Sequence, residues 1–187
     1  MKALCIALLM CLTAVVSFAQ VPKAAFVAPD SDLYVGAVLT LPDYGPHFYN
    51  HHLTGAEVGY EKNFRPHLSV VAMGAAVFGG RYDVKQFSGT IGPKVNLLTG
   101  RIRPYVTAQA GFAYQDSNGM YAADHHPPLL GTNDVERGFT YRLGGGVDVT
   151  INRKLYWRVG QFDIQPQAWG RHTPYYQNWS TGLGYHF

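Results

Sequence analysis

Six histidines, His47, His51, His52, His125, His126 and His172, are the side chains of this sequence best suited to metal chemistry. Neutral imidazoles are good ligands for zinc or copper, and polar stretches far apart in sequence could bring them together. Their spacing does not build a site. No His-x-x-x-His pair lies on a helix-forming stretch, and no other tight ligand spacing occurs. The histidines therefore read as solvated surface groups, and no metal or cofactor is expected. Cys5 and Cys11 both fall within the first nineteen residues, so the rest of the chain has neither a thiolate ligand nor a disulfide. Gly144-Gly145-Gly146 lacks the strand-to-helix context in which glycines cradle a phosphate, and close backbone packing explains it better. Asn178-Trp179-Ser180 fits a glycosylation sequon, but inside an alternating stretch it reads as coincidence.

A second chemical group consists of charges set into apolar stretches. Glu57, Glu61, Lys94, Arg142, Asp148 and Arg158 each share parity with small or polar neighbours. In a strand, one parity is one face, so the charges share a side of whatever sheet they build. If that side is enclosed, opposite signs can neutralise one another, whereas like signs could not be tolerated. The set reads as an ionic network that holds structure, not as a catalytic dyad.

Eight alternating stretches supply the strands that would carry these residues. They run approximately over 32–41, 53–61, 68–78, 87–97, 104–115, 138–151, 155–164 and 176–187. The first is uniformly apolar, so its faces cannot be assigned. The sixth is the cleanest. Phe139, Tyr141, Leu143, Val147, Val149 and Ile151 oppose Thr140, Arg142, Gly144, Gly146, Asp148 and Thr150. Pro93 suggests a bulge in the fourth. In the seventh, Gln161 and Asp163 have the wrong parity for the polar face unless a bulge near Gly160 restores them. The Asn152-Arg153-Lys154 turn pairs Ile151 with Leu155, which sets Asp148 opposite Arg158 and predicts an ion pair. Connections alternate strictly. Short turns fall at 62–67, 98–103 and 152–154, and long loops at 42–52, 79–86, 116–137 and 165–175.

The final stretch shows which face meets what. Trp179, Thr181, Leu183, Tyr185 and Phe187 share one face to the last residue; Asn178, Ser180, Gly182, Gly184 and His186 share the other. Bulky groups at a free end gain little unless something covers them, and lipid is the most economical cover. Elsewhere, aromatics gather near strand ends. Tyr60, Trp157, Tyr185 and Phe187 fall at the turn end; Phe78, Phe87, Tyr114, Phe139, Tyr141 and Trp179 fall at the loop end. Two such belts fit two membrane interfaces, with Tyr60, Tyr114, Tyr141, Trp157 and Trp179 at headgroup depth. Lipid cannot satisfy backbone polar groups, so only a closed sheet could cross it in β form.

On Leu183, Tyr185 and Phe187 the terminal strand resembles that of bacterial outer-membrane β-barrels, within the small eight-stranded OmpA-like group. The resemblance implies an all-β, eight-stranded antiparallel up-and-down transmembrane β-barrel in the bacterial outer membrane. It implies that the barrel-assembly machinery reads Leu183, Tyr185 and Phe187, and that outer-membrane lipid surrounds the wall. Eight strands leave an interior that side chains fill. The expected role is structural or surface-interacting, with four outer loops available to an extracellular partner and the third loop foremost. A small passive pore is the first alternative. A second is a lipid-modifying enzyme similar to the lipid A acyl-modifying barrels, for which Ser180, His172, His186 and Asp163 supply residue types. Ser180 and His186 have inward parity, however, and no enzyme motif accompanies them. The third is a soluble lipocalin-like carrier.

Domain organisation follows. Lys2, the apolar run Ala3 to Val16 and Ser17-Phe18-Ala19 read as a cleaved secretory signal over 1–19. Cys11 would suit a lipoprotein, but Met10 before it is larger than a lipobox tolerates. Residues 20–31 read as a lead-in and 32–187 as the barrel, with no further periplasmic domain expected. Loss of Lys2 with the signal takes the formal charge from +3 to +2, too small for a dedicated nucleic-acid binder.

Overall fold

The computed structural model describes residues 30–43, 52–79, 84–118, 133–168 and 173–187. The signal and most of the lead-in lie outside these, as do His47, His51, His125, His126 and His172. Eight strands follow one another: β1 (Ser31–Asp43), β2 (Leu53–Arg65), β3 (Leu68–Gly79), β4 (Val84–Asn96), β5 (Ile102–Asn118), β6 (Asn133–Thr150), β7 (Leu155–Ala168) and β8 (Tyr175–His186). Each pairs antiparallel with the next, and β1 pairs with β8 from Asp32↔His186 to Asp43↔Tyr175, closing the barrel. Closure leaves no sheet edge, so every strand has a partner on both sides.

The faces are inverted relative to a soluble barrel. Phe112 is 72% exposed and Leu183 57%, whereas Arg142 and Arg158 are each 2% exposed. Lipid explains both values: apolar side chains need no protein cover there, and charges need complete cover. In β1, the strand whose faces its composition left open, Asp32, Tyr34, Val38 and Thr40 are buried while Leu33, Val35 and Leu39 face out.

Of two expected bulges, one is absent and one is present. Pro93 makes no bulge. The β4–β5 register is the same before it (Ile91↔Ala110) and after it (Lys94↔Thr107). The missing N–H removes a rung, not a residue, and Val70 still pairs with Pro93 on the β3 side. The Thr107 hydroxyl donates to the Pro93 carbonyl at 3.2 Å, so the interrupted rung keeps one polar contact. The anticipated bulge in β7 is present. Pairing steps from Val147↔Gly160 to Asp148↔Arg158 on one side, and from Arg158↔Gly182 to Gln161↔Ser180 on the other. Val159 and Gly160 both face out, and Gln161, Asp163, Gln165 and Gln167 return to the interior.

Strands also run farther into the loops than alternation suggests. β5 and β6 reach 17 and 18 residues, against 12 for β3 and β8, so residues 119–132 separate them instead of 116–137. Backbone pairing continues past the apolar zone because polar side chains interrupt the hydrophobic pattern without interrupting the hydrogen-bond ladder. At the other end, Asn152 Oδ1 accepts from the backbone N–H groups of Lys154 (2.8 Å) and Leu155 (2.9 Å), which tightens the β6–β7 turn.

Candidate functional site

Seven interior charges form one connected array across four strands. Lys94 on β4 donates to Glu61 on β2 at 2.7 Å and to Asp148 on β6 at 2.8 Å. Arg158 on β7 donates through Nε to Asp148 Oδ1 at 2.9 Å, the pair that the β6–β7 register sets face to face. Arg142 on β6 donates to Glu57 Oε2 (2.7 Å) and, through Nε, to Asp163 Oδ2 (2.8 Å). Gln161 joins the two halves: its Oε1 accepts from Arg158 at 3.0 Å, and its Nε2 donates to Asp163 at 2.6 Å. Each cation thus has at least one carboxylate partner. In a lumen too narrow for bulk water, such pairing offsets the desolvation cost of the ions.

Composition and parity pointed to the ionic members but missed the tyrosines that enclose them. Tyr34, Tyr105, Tyr156 and Tyr176 point inward and are 0–3% exposed. The Arg158 guanidinium lies 4.1 Å from the Tyr34 ring centroid and 5.0 Å from that of Tyr105; Lys94 Nζ lies 4.2 Å from the latter. The rings add cation–π attraction where a carboxylate cannot reach. The Tyr105 hydroxyl donates to Gln161 Oε1 at 2.6 Å. Inward glycines make room for these rings. A Cβ on Gly184 would fall within the Tyr156 ring, and one on Gly36 would strike Tyr34. The signal was available: Tyr105, Tyr156 and Tyr176 share parity with Thr107, Arg158 and Asn178.

Toward the loop end the charges give way to amides and hydroxyls. Thr40 donates to Asn178 (2.7 Å), Asn178 to Gln165 (2.8 Å) and Tyr176 to Gln115 (2.7 Å). Between this layer and Arg142 lies a cavity of about 10 Å³, bordered by Thr40, Glu57, Gln86, Gln165 and Asn178. That is room for about one water molecule.

The Ser, His and acid types considered for catalysis do not assemble. Ser180 is buried on the inner face, Asp163 is held by Arg142, and His186 Nδ1 lies 2.6 Å from Asp32 Oδ1 at the β1–β8 seam. None of the three faces lipid. His172 lies outside the described residues. Of the loop histidines, His52 is described and is exposed. Among the described residues no cluster of His, Cys, Asp or Glu could hold a metal ion.

On the outer wall Tyr60 (48%), Tyr141 (50%), Trp157 (45%) and Trp179 (52%) are exposed, and Tyr114 is half-buried. Leu183, Tyr185 and Phe187 line up on the outer face of β8, with Tyr185 and Phe187 edge to face at 5.1 Å.

Known proteins share this architecture. A family model described as the outer membrane protein beta-barrel domain matches residues 11–187. The attachment invasion locus protein Ail of Yersinia pestis, solved in complex with the heparin analogue sucrose octasulfate, superposes with a TM-score of 0.62 at 15% identity, over 86% of this chain and 100% of its own. Neisserial surface protein A gives 0.63 at 10% identity, over 84% and 97%. The N-terminal β-barrel domain of Pseudomonas aeruginosa OprF gives 0.51 at 12% identity, over 85% and 98%. At these identities the likeness is one of fold. No curated protein matches the chain.

Proposed function

The chain belongs to the outer membrane protein β-barrel domain family, and on that premise we propose that it is a sealed, lipid-embedded scaffold whose work is done by what it presents at the cell surface. Its place is the bacterial outer membrane, and lipid covers its wall. The observation that carries the reading is the lumen. Lys94, Arg142 and Arg158 are all ion-paired there, and the cavity beside them measures about 10 Å³. A hydrated ion needs a continuous wet path, and the paired ions and small cavity among the described residues argue against one. The purified protein in planar bilayers is therefore expected to give no current above background. Sustained stepwise conductance would overturn the reading in favour of a pore.

Loop presentation is supported by strand length. β5 and β6 are the longest strands, so the wall stands tallest on either side of residues 119–132. That connection is the main candidate for an extracellular partner. Because Ail, of the same fold, was solved with a heparin analogue, a sulfated polysaccharide is a reasonable first probe. Binding that survives exchange of residues 119–132 for a Gly-Ser linker would refute this assignment. An enzymatic role has less support, since Ser180 and His186 face the interior.

Residues 1–19 act in this reading as the export signal, and Leu183, Tyr185 and Phe187 as the mark read by the barrel-assembly machinery. Phe187 is 65% exposed, and its ring touches only Tyr185 among the aromatic pairs of the described residues. Phe187→Ala should therefore leave the purified barrel about as stable as before, within about 0.5 kcal/mol for an exposed position. In cells it should lower the amount inserted into the outer membrane several-fold. Equal insertion, measured by fractionation and heat-modifiable gel mobility, would remove the assembly role.

A further inference from the structure

The outer wall is not uniformly bulky. On β2, β3 and β4 its outward positions include Ala56, Gly74, Ala76 and Gly89, and Gly74 and Gly89 are register partners. With Val58, Phe87 and Phe112 around them, they form a hollow of about 700 Å³ on the membrane side of the barrel. Packing does not demand these two glycines. A Cβ on Gly89 would meet nothing within 4 Å, and one on Gly74 would meet only a Val58 methyl at 3.7 Å. The inward glycines are the opposite case, since Gly36 and Gly184 are held to size by Tyr34 and Tyr156.

The hollow has one charged lip. Arg137, exposed and in register with Tyr114, sits at its loop end, with the guanidinium carbon 5.7 Å from the Tyr114 ring centroid. One step farther out, Lys85 and Asp116 are register partners of opposite sign. Among the described residues no carboxylate forms an ion pair with Arg137. In a barrel of this family the loop-end aromatics Phe87, Tyr114 and Phe139 lie at the headgroup depth of the outer leaflet. An apolar trough capped by a cation at that depth complements an anionic lipid.

We propose that this hollow binds a phosphorylated glycolipid of the outer leaflet, with one acyl chain lying over Gly74 and Gly89 and a phosphate held by Arg137. The chain would recover apolar contact that the two missing side chains leave unmade. The guanidinium would give a charge-assisted, bidentate contact to phosphate oxygens. The surface faces lipid, so a soluble partner cannot reach it. A second copy of the barrel could reach it and is separated by the test.

The test is native mass spectrometry of the purified barrel, released from detergent with added bis-phosphorylated lipid A or its dephosphorylated form. The expected result is a one-lipid adduct, with the phosphorylated form held about ten-fold more tightly, as suits one charge-assisted contact. Arg137→Gln should erase that ten-fold preference and leave retention of the dephosphorylated lipid unchanged. Gly89→Leu should weaken both lipids, because leucine fills the trough. It meets open space and faces lipid, so heat-modifiable mobility should persist. Equal retention of the two lipids, or adducts unaffected by either substitution, would overturn the proposal. A dimer in place of the adduct would overturn it as well.

Discussion

Replacing Arg142 with alanine is expected to destabilise the barrel by about 3–5 kcal/mol, the scale for removing one partner of a buried ion pair. The residue is 2% exposed and donates to Glu57 and Asp163, which are 2% and 0% exposed. Without the guanidinium, two carboxylates would face each other across a space with no bulk water to screen them. Urea unfolding of the barrel refolded into vesicles measures the loss directly. The control is the triple variant Arg142→Met, Glu57→Gln, Asp163→Asn. It removes the charges together and should recover most of the stability, because members of one network are strongly non-additive. A loss below about 1 kcal/mol for Arg142→Ala, the range of exposed pairs, would mean that the array is solvated and the lumen is not sealed.

Exchanging Asp148 and Val149 (Asp148→Val with Val149→Asp) should have the larger effect: loss of the folded, heat-modifiable species. Side chains alternate with a period of two, so the exchange turns the carboxylate toward lipid and a valine toward the lumen. Lys94 would lose one of its two carboxylates, and Arg158 the one that pairs with it among the described residues. Each buried polar group left unmatched costs about 1–3 kcal/mol, and several together rival a total stability of roughly 5–15 kcal/mol. Deleting Gly160 is the informative contrast. Val159 and Gly160 both face out, so removing one of them restores plain alternation and leaves Gln161, Asp163, Gln165 and Gln167 facing inward. That variant should stay folded and heat-modifiable. If the exchange folds as well as the deletion does, the face on which Asp148 lies does not hold the network together.

Parts of this architecture were legible residue by residue. The terminal strand declared its outer face through Trp179, Leu183, Tyr185 and Phe187, because a two-residue period cannot hide on a strand with unlike sides. The Asn152 turn fixed the β6–β7 register, and Asp148 with Arg158 followed from it. Even the β7 bulge could be anticipated, since two polar residues of the wrong parity cannot be left in lipid. Pro93 was misjudged because alternation shows where a donor is missing but not how the ladder absorbs the loss. The inward tyrosines were overlooked for a related reason: aromatic residues serve both as interfacial anchors and as interior filling, and only their neighbours of like parity distinguish the two.

By itself, then, the sequence determined the number of strands, the face that most of them turn to lipid and the parity of the charges, because these depend on spacing along one strand. Apart from Asp148 with Arg158, the tertiary structure decided which charge meets which. Lys94 bridges Glu61 and Asp148, and Arg142 spans from β6 to Glu57 on β2, 85 residues away. Those partners depend on how eight strands are staggered as the sheet closes on itself. It also decided that Tyr34, Tyr105 and Tyr156 nest against glycines of other strands, and that Gly74 and Gly89 stand side by side on the membrane face. Closure places residues from strands far apart in the chain at one depth, and the spacing within any one strand carries no record of that depth.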